Sequence, residues 1–310
     1  MSVWNQWMRA PQTLWVRRAV FQIHLWTGIG IGLYLLMICL TGSALVYRNE
    51  LYRAFSPEPV IVVGSGESLT PETLTEAAQR VYPDYDVTDV RTGDTPQHAV
   101  EISLRDDGET IRRLFHPYTG EDLGDPLPIG YRVSAWMLDL HDNLLGGRTG
   151  RKINGIGAFF FIVLAVTGIF VWWPGIRSWR RSLTIDMKAN WRRLNWNLHS
   201  AFGFWSMPFI LMWGITGIYL AVPEWFQATV EYFDPFDPSN PVDRFGDRVL
   251  YWLAYLHFGR LGGRGIPGCG RPLCNEMTKA VWAVVALIPP ALLVTGVLMW
   301  WNRVWRRTPE

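Results

Sequence analysis

"HLWTGIGIGLYLLMICLTG" (residues 24–42) and "HSAFGFWSMPFILMWGITG" (residues 199–217) share one plan. Each is a histidine, sixteen residues without a formal charge, then Thr-Gly. Seventeen helical steps at about 1.5 Å each cover about 26 Å, close to the thickness of a bilayer's hydrocarbon core. Each stretch therefore reads as a membrane-crossing helix with an imidazole near one face and Thr-Gly near the other. Two further apolar runs close on the same step, in "VTGIFVWWPG" (166–175) and "VTGVLMWWNR" (294–303). The four runs cover about 19–47, 153–174, 200–222 and 280–301, and none has an acidic or basic residue in its central part. Four such runs predict an integral membrane protein.

The second and fourth runs also follow a repeated phrase, "LHDNLLGGR" at 140–148 and "LHFGRLGGR" at 256–264. His141 precedes Thr167 by 26 residues and His257 precedes Thr295 by 38, the extra twelve lying around "GCGRPLC". The expected fold is mainly α: four transmembrane helices arranged as two parallel helix-hairpin repeats. A two-span repeat returns to its starting side, so the copies are related by an axis along the membrane normal. The four Thr-Gly steps read as helix-packing elements, where small residues let backbones approach. Trp172-Trp173 and Trp300-Trp301 read as interfacial anchors.

Orientation follows from the flanking cations. Arg9, Arg17 and Arg18 precede the first run, and Arg303, Arg306 and Arg307 follow the fourth. Arg177, Arg180, Arg181, Lys188, Arg192 and Arg193 lie between the second and third, against Asp186. Both termini and the middle loop are therefore expected in the cytoplasm. The net charge of +2 is accounted for by this topology, with membrane lipid as the surroundings and no nucleic-acid partner. The first run is too long for a signal-peptide core and reads as a retained anchor. Of three cysteines, Cys39 reads as packing, while Cys269 and Cys274 fall in an outer loop and are expected to form a disulfide.

Between the first two runs, "PETLTEAAQRVYP" (71–83) predicts a helix with a proline stop. "YDVTDVRT", "HAVEISLRD" and "TIRRLFH" alternate like antiparallel strands, and "HPYTGEDLGD" (116–125) supplies a turn. The expected divisions are 1–56 (N-terminal segment and first helix), 57–128 (a small α+β domain facing outward), 129–175 (outer segment and second helix), 176–198 (cytoplasmic loop) and 199–310 (third and fourth helices with their outer loop). His98 and His116 in the small domain read as ordinary surface histidines.

The other four histidines fall into two equivalent pairs, His24 with His199 toward the inner face and His141 with His257 toward the outer. Pairing within one repeat is disfavoured, because His24 and His141 start from opposite faces. Structural zinc wants four ligands, usually with Cys, and a proton relay wants Asp or Glu within the helices. A b-type haem needs only two axial imidazoles and an apolar slot, since the macrocycle supplies four nitrogens. Two haems, one per layer, are thus expected, with no C-x-x-C-H for covalent attachment. Arg148 and Arg264 outside, and Arg192 and Arg193 inside, are either propionate partners or snorkelling membrane anchors. No catalytic side chain is assigned.

These same segments, together with "HPYTGEDLG", resemble the PepSY-associated transmembrane family over nearly the whole chain. The resemblance implies a PepSY-like periplasmic domain, a location in the bacterial inner membrane and His24, His141, His199 and His257 as haem ligands. It further implies a ferric-siderophore reductase that passes electrons from the cytoplasmic side or the quinol pool to iron in the periplasm. The chain carries no G-x-G-x-x-G fingerprint and no flavin domain, so the electron donor is a separate, unknown partner. The alternative is a non-enzymatic membrane anchor whose PepSY module binds a periplasmic protein or peptide, the histidines merely tying helices together. The colour of the purified protein separates the two.

Overall fold

The computed structural model describes residues 2–64, 66–106, 109–236, 244–261 and 271–305. Its helices are α1 (Val3–Arg9), α2 (Trp15–Leu45), α3 (Arg48–Ala54), α4 (Pro71–Val81), α5 (Ile129–Asn143), α6 (Gly147–Trp172), α7 (Trp191–Ala221), α8 (Pro223–Phe233), α9 (Phe245–His257), α10 (Arg271–Val285) and α11 (Ile288–Trp305). Four strands, β1 (Asp86–Arg91), β2 (Val100–Asp106), β3 (Glu109–Phe115) and β4 (Asp122–Gly124), form one small sheet. The chain divides into two compact units, residues 1–47 with 136–310, and residues 48–135.

In the first unit four helical stretches are long and apolar enough to cross a membrane: Trp15–Leu45, Gly147–Trp172, Trp191–Ala221 and Glu276–Val304. The third begins about nine residues before its apolar run. The Asn190 side chain accepts the Arg193 N–H there, at 3.0 Å, and caps the helix. The fourth stretch forms as expected, with an interruption between Val285 and Ile288. Pro289 and Pro290 have no N–H to give, so α11 restarts with them in its first turn. The Leu287 N–H turns back to the Val284 carbonyl at 3.1 Å as the chain tightens there.

α6 packs against α2 and α7, and α11 packs against the same two helices. Leu35 and Cys39 of α2, Phe161 and Ala165 of α6 and Ile210 of α7 form their shared core. The outward faces stay apolar: Leu33 is 69% exposed and Val284 66%. Surface of that kind costs about 25 cal/mol per Å² in water, and a bilayer covers it.

The second unit is a four-stranded antiparallel sheet in the order β1-β2-β3-β4, with α4 as its helix. Val100, Ile102 and Leu104 alternate along β2 and meet Phe115, Leu74 and Ala78 in a closed core. Thr70 caps α4 by accepting the Thr73 N–H, and Pro71 opens it. The three expected strands form, and β4 adds three residues inside the segment read as a turn. This unit is wider than 57–128, because α3 and the start of α5 group with it. Tyr52 meets Tyr131 with ring centroids 4.9 Å apart, and Phe55 fills the space over Gly130. His98 and His116 are half-buried turn-formers. The His98 Nδ1 accepts the Thr95 N–H at 3.3 Å, and the His116 Nδ1 accepts those of Tyr118 and Thr119 at 3.2 and 3.3 Å.

A candidate paired-histidine centre

His24 lies on α2 and His199 on α7, while His141 and His257 lie at the C-terminal ends of α5 and α9. The fold brings them together in two pairs. The rings of His24 and His199 have centroids 6.5 Å apart, and those of His141 and His257 are 6.1 Å apart.

Each imidazole is seated on a Thr-Gly step of another helix. His24 Nδ1 lies 3.1 Å from Thr167 Oγ1, and His199 Nδ1 lies 2.9 Å from Thr295 Oγ1. At the other layer, His141 Nδ1 is 3.2 Å from Thr41 Oγ1 and His257 Nδ1 is 2.9 Å from Thr216 Oγ1. The glycine that follows leaves room for the ring. A Cβ on Gly42 would sit 2.8 Å from His141 Cε1, and one on Gly168 would sit 3.2 Å from His24 Cε1. Thr-Gly thus does more than pack helices, the role that the sequence suggested. The available signal was numerical: four Thr-Gly steps for four histidines outside the small domain.

Two asparagines outside the sequence reading fasten this arrangement. The buried Asn195, one turn before His199, donates to the Thr295 carbonyl at 3.0 Å. Asn154 donates to the His141 carbonyl at 2.6 Å and accepts the Tyr34 hydroxyl proton at 2.6 Å. Just beyond His141, Leu144 and Leu145 hold φ of 52° and 60°, a left-handed conformation that costs a non-glycine residue about 1–2 kcal/mol. The strained pair follows directly after the segment whose His141 and Asp142 carbonyls Asn154 holds.

The His24–His199 pair opens on a cavity of about 300 Å³, lined by both histidines with Gly28, Gly32, Gly203 and Arg303 among mainly apolar neighbours. Arg303 also lies over the Phe21 ring at 4.9 Å. The sequence marked Arg303 only as a topological flank and looked instead to Arg192 and Arg193, which stack on Trp191 at 5.6 Å and Trp196 at 4.6 Å. Arg148 is exposed in the first turn of α6. Arg264 and Cys269 lie outside the described residues. Cys274 is buried and disulfide-bonded, and Cys39 is a free thiol in the helix core.

The geometry suits a metal held between two imidazoles. At roughly 2 Å per metal–nitrogen bond, centroids 6.5 and 6.1 Å apart would let the two imidazoles of each pair hold one ion between them. With Nδ1 engaged, Nε2 is the nitrogen left for a metal, and among the described residues no hydrogen bond reaches any of the four Nε2 atoms. No third His, Cys, Asp or Glu joins either pair among the described residues.

An 84-residue stretch is 29% identical to Uncharacterized protein PA4219 of Pseudomonas aeruginosa. The match covers 26% of this chain and only 20% of the length of that protein. The model of the PepSY-associated TM region matches residues 21–242 and 233–303, nearly the whole chain, and with four apolar helices of membrane-crossing length the protein belongs to that family.

Proposed function

We propose that this protein is a di-haem b transmembrane oxidoreductase that passes electrons to an acceptor outside the membrane, a ferric siderophore. One observation carries the reading: two layers of facing imidazoles, 6.5 and 6.1 Å between centroids, each ring with Nδ1 engaged and Nε2 unpartnered. Seventeen helical steps of α2 take His24 to Thr41, the seat of His141, so the layers are on the order of 26 Å apart along the helix. A b haem held by each pair supplies a one-electron carrier at each side of the bilayer. His24 and His199 are the inner ligands, His141 and His257 the outer. Arg303 faces the inner cavity with a fixed positive charge suited to a propionate. The recurrence of His-to-Thr seats in α2/α6 and α7/α11 supports two parallel hairpin repeats, with both termini cytoplasmic and the sheet domain, PepSY-like, in the periplasm.

The substrate class comes from the family resemblance. A ferric siderophore is large and polar, so it is met at the membrane face, and one electron reduces Fe(III) to Fe(II). The oxygen donors of the chelate hold Fe(II) less firmly, and the metal is released without destroying the ligand. The donor is a separate cytoplasmic protein or membrane quinol.

Pyridine haemochrome analysis of the purified chain is expected to give two haems b per polypeptide. A preparation grown with ample haem that contains none would end this reading. Anaerobically reduced protein is then expected to be reoxidised by a ferric siderophore, with Fe(II) trapped by a ferrous chelator. If it stays reduced against several classes of ferric chelate, the acceptor is something else.

A further inference from the structure

Each of the four seating threonines has one hydroxyl proton, and the backbone shows where it goes. Thr41 donates to the Met37 carbonyl at 2.8 Å and Thr167 to the Val163 carbonyl at 2.6 Å. Thr216 donates to Met212 at 2.7 Å and Thr295 to Ala291 at 2.9 Å. Two oxygens this close with no proton between them repel, so each hydroxyl proton is committed to its own helix. The Thr oxygen then presents only lone pairs to the imidazole. The proton in each His–Thr contact must come from Nδ1.

We infer that Thr41, Thr167, Thr216 and Thr295 are positioning residues that fix all four histidines as the Nδ1–H tautomer, with the Nε2 lone pair free. His141 supplies a separate check. Its Nδ1 also lies 2.9 Å from the carbonyl oxygen of Ile38, which can only accept. Back-bonding alone is common for Thr in helices and does not imply this role. Thr229 and Thr278 back-bond in the same way, at 2.7 and 2.6 Å, and seat no histidine among the described residues. What sets the four apart is the imidazole that each one holds.

The consequence for chemistry rests on the haem reading. A metal-binding nitrogen must be free of its proton, and an acceptor on the distal N–H raises the basicity of the ligating nitrogen. A stronger donor favours ferric over ferrous iron. The threonines would then set the potentials of the centres as well as the orientation of their ligands. The four seats are unequal. His141 has two acceptors, whereas Thr216 is the hydrogen-bond partner of His257 among the described residues.

The test compares Thr216→Val, Thr216→Ser and Thr41→Val in the full chain. Valine keeps the shape and the β-branch but removes the oxygen, and serine keeps the oxygen. Thr216→Val is expected to weaken haem retention at the outer site about 10- to 100-fold. It is also expected to raise that centre's midpoint potential, by 59 mV for each tenfold preferential loss of ferric binding. Thr216→Ser should restore both, and Thr41→Val should have the smaller effect because the Ile38 carbonyl remains. The inner haem spectrum reports that each variant is folded. Wild-type affinity and potential in Thr216→Val would overturn the proposal, as would failure of Thr216→Ser to rescue. If the wild-type chain holds no haem, the functional reading fails separately. ¹⁵N-histidine NMR of that protein then decides the tautomer: four Nδ1–H rings sustain the inference, and Nε2–H rings refute it.

Discussion

Gly42→Ala tests whether the histidine seats are built to their contact distances. A Cβ at this position falls 2.8 Å from His141 Cε1. Carbon atoms rest at about 3.5–4.0 Å, so the ring must recede by roughly 0.7 Å or more. Its Nδ1 now stands 3.2 Å from Thr41 Oγ1 and 2.9 Å from the Ile38 carbonyl oxygen. Recoil on that scale takes the first contact out of hydrogen-bonding range and stretches the second. Each net bond is worth about 0.5–1.5 kcal/mol, so the expected loss is about 1–3 kcal/mol. Alanine also changes helix propensity, by up to about 1 kcal/mol. Gly30→Ala in the same helix removes that confusion, because a Cβ there meets nothing within 4 Å. The comparison is therefore Gly42→Ala against Gly30→Ala, by thermal unfolding in detergent followed by circular dichroism. Gly42→Ala should melt lower by at least about 1–2 °C, the equivalent of about 1 kcal/mol in a chain of this size. Coincident melting of the two variants would show that His141 is not held at this seat.

Leu145→Gly should raise the melting point in the same assay, because glycine relieves the left-handed strain. The gain is up to about 1 kcal/mol after the extra unfolded-chain entropy is deducted, and no gain would mean that the turn is unstrained. Burial of Asp122 opposes its ionisation, but hydrogen bonds from Arg113 at 2.7 Å and Tyr82 at 2.6 Å outweigh this and hold its pKa below the ordinary carboxylate value. A depressed folded pKa means that the stabilisation is whole above the unfolded value of about 3.9 and is lost as pH falls through the lower folded value. The protection factors of the β3 and β4 amides, with the intrinsic exchange rates divided out, should therefore fall on acidification in the wild type and change less in Asp122→Asn; equal changes would remove Asp122 from the account. On the haem reading, His199→Ala should lose the inner haem and keep the outer one, and loss of the outer haem alone would reverse the assignment.

Much of this architecture was readable because it repeats along single helices. His24 to Thr41 and His199 to Thr216 are equal intervals within continuous apolar runs, and an interval on one helix fixes a distance directly. The strands of the small domain were legible for the same local reason, since Val100, Ile102 and Leu104 alternate on one face. β4 was not, because three residues are too few to show a period. The fourth run does form one apolar stretch of crossing length, Glu276–Val304, but its interruption before Pro289-Pro290 was not legible, because hydropathy does not record a missing N–H. Arg303 was visible as a charge, but only the rotation of α11 turns it toward a cavity. The seats themselves join residues 143, 100, 96 and 41 positions apart, beyond any pattern within one element.

Those seats nevertheless follow from one further step. A helix that carries histidine at one end and Thr-Gly at the other cannot join its own two groups, because they are a membrane thickness apart. An antiparallel neighbour of similar plan brings its Thr-Gly to the level of that histidine, and its own leading histidine to the level of the first helix's Thr-Gly. The exchange is reciprocal in both halves: His24 with Thr167 and His141 with Thr41, then His199 with Thr295 and His257 with Thr216. Each hairpin therefore seats its own two imidazoles, but it brings only one of them to each layer. A facing pair needs the second hairpin. A single copy of this plan would hold two lone, oriented imidazoles, and the second copy turns each of them into half of a close ring pair.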